Sequence, residues 1–152
     1  MTEEAKPHGG AALRVTDRAH ILIVHDNDAD TERLKAVFRK AGSTWESVRS
    51  IAQGCESARS GRFQVVFSAP VLGDGSWKRL IEVANQNHLP FQVILLARTF
   101  DLGQWADALQ LGAFDVLDVL WDLPEAGEAA KRASAMTYLK RSRPHPDAVQ
   151  LT

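Results

Sequence analysis

The chain has 152 residues, which suffice for one domain with a hydrophobic core but not for two domains of ordinary size. Apolar residues make up 45% and charged residues 24%, and the formal net charge of −1 favours neither a nucleic acid nor a membrane surface as partner. Cys55 is the only cysteine, which excludes an intrachain disulfide and argues against a cysteine-based zinc site.

Both ends of the chain look like tails. Residues 1–18 are polar and rich in glycine and alanine, and residues 142–152 hold two closely spaced prolines, so we predict one domain over residues 19–141. Residues 1–10 lack the apolar core of a signal peptide, and no apolar run approaches the roughly 18 residues of a membrane helix. We therefore expect a soluble, cytoplasmic protein.

Short apolar runs recur along the domain, at residues 21–24, 65–67, 93–96 and 116–120. Most are continuous, which predicts parallel strands buried on both faces, because helices cover both sides of such a sheet. Residues 45–50 are more polar and fit an edge strand.

Segments with helical spacing separate these runs. Leu34, Val37, Phe38 and Ala41 form one helix face, which Asp28 can cap and Gly42 can end. Further helical faces lie in residues 77–84, 102–109 (with Asp101 as cap and Gly112 as stop) and 126–136 (starting near Pro124), and residues 53–60 are a weaker candidate.

The alternation of strand and helix predicts an α/β fold with a doubly wound parallel sheet. In such sheets, functional groups gather beyond the carboxyl ends of the strands, which directs attention to residues 25–28, 68–76, 97–101 and 118–122.

Four stretches in this order resemble response-regulator receiver (CheY-like) domains. Residues 21–26 (ILIVHD) look like the first strand and its acidic corner, and residues 62–76 (RFQVVFSAPVLGDGS) like the third strand and the following loop. Residues 93–97 (VILLA) look like the fourth strand, and residues 111–117 (LGAFDVL) like the turn into the fifth. The resemblance covers about residues 19–140 and implies a flavodoxin-like sheet with strand order 2-1-3-4-5 and a role in two-component or phosphorelay signalling.

Receivers of this family transfer a phosphoryl group onto their own aspartate, using Mg²⁺ held by carboxylates, a hydroxyl and a lysine. The resemblance places residues without this chemistry at most of these positions: Ala69 at the phosphoacceptor, Ala97 at the hydroxyl, Val119 at the lysine, Leu120 at the proline after it, Val116 at the aromatic switch, and His25 beside Asp26 for the acidic pair. We therefore expect a pseudo-receiver that is not an enzyme, has no catalytic residues and binds Mg²⁺ weakly or not at all.

Other hypotheses stay open. Asp74 or Ser68 could accept phosphate instead, although the Leu-Gly-Asp-Gly-Ser loop is more simply a turn. His25 could bind a transition metal together with Asp26, or could itself sense protons, although a half-buried histidine bonded to a neighbouring loop is the simpler interpretation. The vacated positions Ala69, Ala97 and Val119 could also line a pocket in which His25 and Asp26 orient a small molecule.

Partner contacts in receivers commonly use the surface of the fourth helix, fifth strand and fifth helix. Trp105 lies in the predicted fourth helix and Trp121 follows the fifth strand. Tryptophan is enriched in interface hot spots, yet aromatics at helical spacing are more often core, so we favour core for Trp105 and leave Trp121 open. We expect a stand-alone module that binds a histidine kinase, another regulator or a second copy through this surface, rather than a membrane or nucleic acid.

Overall fold

The computed structural model describes residues 19–98 and 102–142. The predicted tails, apart from Ser142, lie outside the described residues, and so does the proposed helix cap Asp101. The strands of the main sheet are β1 (His20–Val24), β2 (Thr44–Val48), β3 (Val65–Ser68), β4 (Gln92–Ala97) and β5 (Asp115–Asp118). The helices are α1 (Asp28–Lys40), α2 (Ile51–Ala58), α3 (Lys78–Gln86), α4 (Leu102–Gln110) and α5 (Ala126–Ser142).

The five strands are all parallel and their order is β2-β1-β3-β4-β5, which confirms the predicted topology. Leu22 of β1 lies between Glu46 of β2 and Val66 of β3. The most polar of the strands, β2, lies at one edge as predicted, whereas every residue of β3 and β4 is buried. The carboxyl ends of the strands therefore meet at one edge of the sheet.

Successive residues of a strand point to opposite faces of the sheet, so both faces carry apolar side chains, and helices cover both of them. One core layer lies beneath α2, α3 and α4 and includes Leu22, Val66 and Leu95. The other lies beneath α1 and α5 and includes Ile23, where the rings of Phe38 and Phe67 are 5.0 Å apart.

The start of α1 differs from the sequence-based expectation. Asn27, not Asp28, is the N-cap, because its extended backbone lets the side-chain oxygen accept the N–H of Asp30 at 2.9 Å. Asp28 is the first helical residue, where its charge still favours the positive end of the helix. Gly42, with φ of +77°, follows the last turn as predicted.

The weak helix candidate at residues 53–60 is a defined helix that begins two residues earlier. Ser50 caps α2 by accepting the N–H of Gln53 at 3.1 Å, and the side-chain oxygen of Gln53 in turn accepts the N–H of Arg49, also at 3.1 Å. This reciprocal arrangement resembles a capping box displaced by one residue.

The last strand is shorter than the predicted run of residues 116–120. It ends at Asp118, whose carboxylate accepts the N–H of Leu120 at 2.8 Å and so turns the chain out of the sheet. A 3₁₀ turn (Leu123–Glu125) containing Pro124 then leads into α5. No helix in the described ranges is long and apolar enough to cross a membrane.

Candidate functional site

The position predicted for the phosphoacceptor lies directly after β3. Ala69 is buried, and its backbone N–H donates to the carbonyl of Val24 at 2.9 Å. The neighbouring Ser68 is fully buried, and its hydroxyl donates to the carbonyl of Ala69 at 2.8 Å. Neither residue therefore presents a free nucleophilic oxygen to solvent.

A cluster of charged side chains around Asp30 lies at the carboxyl edge of the sheet. The Asp30 side chain is only 3% exposed. Its Oδ2 accepts from an Arg98 Nη at 2.6 Å and lies 3.1 Å from Nε2 of His25, and its Oδ1 lies 3.5 Å from Arg33. Arg33 also donates to the carbonyl of Val119. The Asp30 cluster (His25, Asp30, Arg33 and Arg98) thus connects α1 to the chain that follows β1, β4 and β5.

The side chain of His25 is largely buried beside Asp30, whereas Asp26 is exposed. The His25 side chain is 11% exposed and bonds to Asp30 in the first turn of the next helix, with no partner for Nδ1 within the described part of the chain. Asp26 is exposed, and its carbonyl rather than its carboxylate accepts a bond, from Arg49. The structure does not bring the Asp26 carboxylate into the Asp30 cluster.

These residues do not fit the Mg²⁺ site that the receiver fold implies. That ion prefers several oxygen ligands, with one or two carboxylates among them. The phosphoacceptor position is Ala69, and the Asp30 oxygens already bond to Arg98, Arg33 and His25. In the described ranges, no group of three His, Cys, Asp or Glu side chains could hold a metal ion.

Sequence reasoning missed the central residue of this cluster. The sequence patterns predicted no site role for Asp30, Arg33 or Arg98. One signal was available: Asp30, Leu34 and Phe38 are spaced four residues apart and all three are buried. A carboxylate on an otherwise apolar helix face requires charged partners, and Arg98 directly follows β4.

Asp74 lies in the turn of a small hairpin formed by Val71–Leu72 and Gly75–Ser76, which confirms the predicted turn. Its carboxylate has a further role, because its two oxygens accept the first two N–H groups of α2, those of Ile51 and Ala52, each at 2.9 Å. The hydrogen bonds from the backbone of Ala52 and then Ile51 lower the pKa of Asp74. Asp74 therefore anchors the loop after β3 to α2.

A groove of about 470 Å³ lies between α3 and α4, on the face of the sheet opposite to α1. Its lining includes Leu95, Ala97 and Val116 of the sheet and Trp105 of α4. The structure does not bring Ala69, Ala97 and Val119 together in this groove. Ala97 lines the groove without the other two, and Val119 packs in the opposite core layer.

The two tryptophans are both accessible. Trp105 is 37% exposed, so the interpretation that favoured a core position is wrong: the residue lies on the outer part of α4, whose inward-facing residue is Ala108. Trp121, which was left open, is 77% exposed, and Leu111 and Leu120 in the same stretch of chain are also about half exposed, at 49% and 47%.

Comparisons with known proteins identify the fold. No family model matches the chain, and no curated protein matches it. The signal receiver domain of an HD domain-containing protein from Pseudomonas fluorescens Pf-5 is 26% identical, with a TM-score of 0.73 over 86% of this chain and 96% of that one.

Two more distant structures agree in fold. The Francisella response regulator 1452 receiver domain is 13% identical, with a TM-score of 0.70 over 83% of this chain and 100% of that one. A further match is the co-crystal structure of the Saccharomyces cerevisiae histidine phosphotransfer signaling protein Ypd1 with the receiver domain of its downstream response regulator Ssk1. It is 18% identical, with a TM-score of 0.70 over 79% of this chain and 91% of that one. Receiver domains are signalling modules rather than enzymes. The topology and these neighbours together show that the chain has the fold of response-regulator receiver domains.

Proposed function

We propose that this chain is a receiver-like module of two-component or phosphorelay signalling that works in the cytoplasm by binding proteins, without being phosphorylated. The observation that carries the proposal is the Asp30 cluster. In a phosphorylated site, cationic groups must be free to meet the incoming phosphoryl oxygens. Here Arg98 and Arg33 already contact a buried carboxylate, and Ala69 supplies no acceptor oxygen.

Intact-mass spectrometry tests the absence of phosphorylation. The chain is incubated with Mg²⁺ and acetyl phosphate, and a receiver known to be active is treated in parallel. We expect no phosphoryl adduct on this chain and a stoichiometric adduct on the control. A stoichiometric adduct on this chain would overturn the proposal.

If an adduct appears, two variants identify its position. Asp74→Ala removes the exposed carboxylate that anchors α2, and Ser68→Ala removes the buried hydroxyl. Loss of the adduct in either variant supports the alternative function, a phosphate-responsive receiver with a non-standard site. The geometry favours neither, since both groups are engaged in hydrogen bonds.

The docking face that we propose consists of Trp105 in α4, Leu111 between α4 and β5, and Leu120 and Trp121 in the chain after β5. These four apolar side chains are between 37% and 77% exposed. Exposed tryptophans and leucines on neighbouring segments are typical of the centre of a protein interface. Among the structural neighbours, the Ssk1 receiver domain is crystallised with a histidine phosphotransfer protein, which supports a protein partner from the same kind of pathway. A histidine kinase, another regulator or a second copy of the chain would meet this description.

Pull-down from a system of candidate kinases and regulators, together with light scattering of the purified chain, tests the docking face. We expect Trp105→Ala and Trp121→Ala to weaken capture or self-association at least about tenfold, the size of a hot-spot loss. Val71→Ala is the matched control, because Val71 is 69% exposed but lies on the hairpin after β3. Unchanged binding in folded tryptophan variants would rule out this face.

A further inference from the structure

The groove between α3 and α4 has the size and composition of a small-molecule site. Its volume of about 470 Å³ lies within the range of roughly 300–1,000 Å³ that is usual for ligand pockets. Leu95 of β4 pairs with Val116 of β5, and these two residues and Ala97 provide an apolar floor. Trp105 contributes an accessible indole to the lining.

Small side chains leave this space open. Ala97 and Val116 are each 7% exposed, so nearly all of their surface is packed and only a small part remains accessible. A larger side chain in place of Val116 would reach from β5 into the groove. We expect an aromatic ring there to occupy the space that a ligand would need.

The groove also carries one charge of each sign. Lys78 at the start of α3 and Asp107 in α4 both line it, and both residues are exposed. Within the described ranges neither residue forms an ion pair, with the other or with any third group. A ligand complementary to this lining has an apolar, flat body, an anionic group for Lys78 and a cationic group for Asp107.

We propose that this groove binds a small aromatic zwitterion, of which a free aromatic α-amino acid is the simplest example. The aromatic ring lies against Trp105 and the floor, the carboxylate faces Lys78 and the ammonium group faces Asp107. This site is separate from the Asp30 cluster. It shares Trp105 and Leu111 with the docking face proposed above, but ligand binding does not require that a protein partner binds there.

The test uses three probes of nearly the same shape. L-phenylalanine carries both charges, 3-phenylpropionate lacks the ammonium group and phenethylamine lacks the carboxylate. Binding to the full chain is followed by amide chemical-shift changes and calorimetry. For a ligand of about 12 non-hydrogen atoms we expect L-phenylalanine to bind with a Kd on the order of 1 mM, with the other two probes at least about fivefold weaker.

Variants that each remove one charge test the carboxylate contact and the ammonium contact separately. Lys78→Ala should weaken L-phenylalanine and phenylpropionate at least about fivefold and leave phenethylamine unchanged. Asp107→Ala should weaken L-phenylalanine and phenethylamine and leave phenylpropionate unchanged. Lys40→Ala is the matched control for lost charge, because Lys40 is exposed at the far end of α1, and it should change none of the three.

A filling variant tests the groove itself. Val116→Phe should abolish binding of all three probes while circular dichroism and amide dispersion remain those of the folded chain. If Val116→Phe does not fold, Trp105→Ala, which removes the indole from the lining, should weaken binding of all three probes. No shift changes at groove residues with L-phenylalanine, or full binding in folded Val116→Phe, would overturn the proposal.

Discussion

At the scale of single residues, Asp30 determines what the carboxyl edge of the sheet can do. A carboxylate that is 3% exposed is stable in its charged form only with partners, and His25, Arg33 and Arg98 provide them. The side chains of Arg33 and Arg98 are about half exposed, at 48% and 51%, so water can hydrate them without Asp30. Nε2 of His25 is the group that would be left unpaired in a buried place.

We therefore predict that Asp30→Ala lowers the free energy of unfolding by about 2 kcal/mol, the cost of leaving a buried polar group unpaired. Urea denaturation at pH 7 measures the change. Asp28→Ala is the matched control two residues away, since Asp28 pairs with Arg49 on the surface and its loss should cost about 0.5 kcal/mol. Equal effects of the two substitutions would show that the Asp30 cluster does not stabilise the fold.

At the scale of elements, α2 lies unusually close to β1. A Cβ added at Gly54 would lie 2.8 Å from Cγ2 and 3.1 Å from Cγ1 of Val24, which is itself fully buried. The contact involves both branches of a stiff side chain, so a rotation of Val24 does not relieve it. Glycine at this position therefore sets the distance between helix and sheet.

A pair of glycine substitutions separates packing from helix propensity. We predict that Gly54→Ala destabilises the fold by about 1–3 kcal/mol through overpacking, although alanine is the better helix former. Gly127→Ala in α5 should instead be neutral or stabilise by up to about 1 kcal/mol, because its Cβ would meet Ala41 at 3.5 Å and Val37 at 3.6 Å, an ordinary contact. Thermal and urea denaturation give both values, and a stabilising Gly54→Ala would disprove the close contact.

The link between the hairpin and α2 should depend on pH. Because the backbone bonds of Ala52 and Ile51 lower the pKa of folded Asp74, this carboxylate contributes stability above its ordinary pKa. The contribution is lost as the pH falls through the lowered value. We predict that Asp74→Ala has a lower urea midpoint than the parent chain at pH 7 and that the difference narrows in strong acid.

Glu56→Ala is the control for this measurement, because Glu56 is an exposed carboxylate of α2 outside its first turn. Its difference from the parent chain should stay small at every pH. A difference for Asp74→Ala that persisted unchanged into strong acid would mean that the two hydrogen bonds do not require the charged carboxylate.

At the scale of the whole molecule, sequence patterns located the strands and helices, the resemblance to receiver domains gave the strand order, and neither predicted the Asp30 cluster. Continuous apolar runs identified the buried strands, and helical spacing identified the helices, because both patterns follow from burial alone. Asp30 and Arg98 are 68 residues apart, so no local pattern could show that they meet. The hydrogen bonds between the Asp74 carboxylate and the start of α2 could not be predicted from a local pattern either, since its partners lie 22 and 23 residues upstream.

The same arrangement makes a prediction about the global response to Mg²⁺. A ligand that binds only the folded state raises the free energy of unfolding by RT ln(1 + [L]/Kd), so 10 mM of an ion with a Kd of about 1 mM would add about 1.4 kcal/mol. For a domain of this size such a gain raises Tm by several degrees. We expect no rise in Tm between EDTA and 10 mM Mg²⁺, because the Asp30 oxygens are occupied by cationic side chains and Ala69 offers no ligand. An active receiver should show the rise under the same conditions.

If this chain also shows a rise in Tm with Mg²⁺, the Asp26→Asn variant tests whether the exposed carboxylate after β1 binds the ion. Loss of the rise in this variant would mean that this single carboxylate is enough for a metal site. The Asp30 cluster would then not exclude Mg²⁺ from the edge of the sheet.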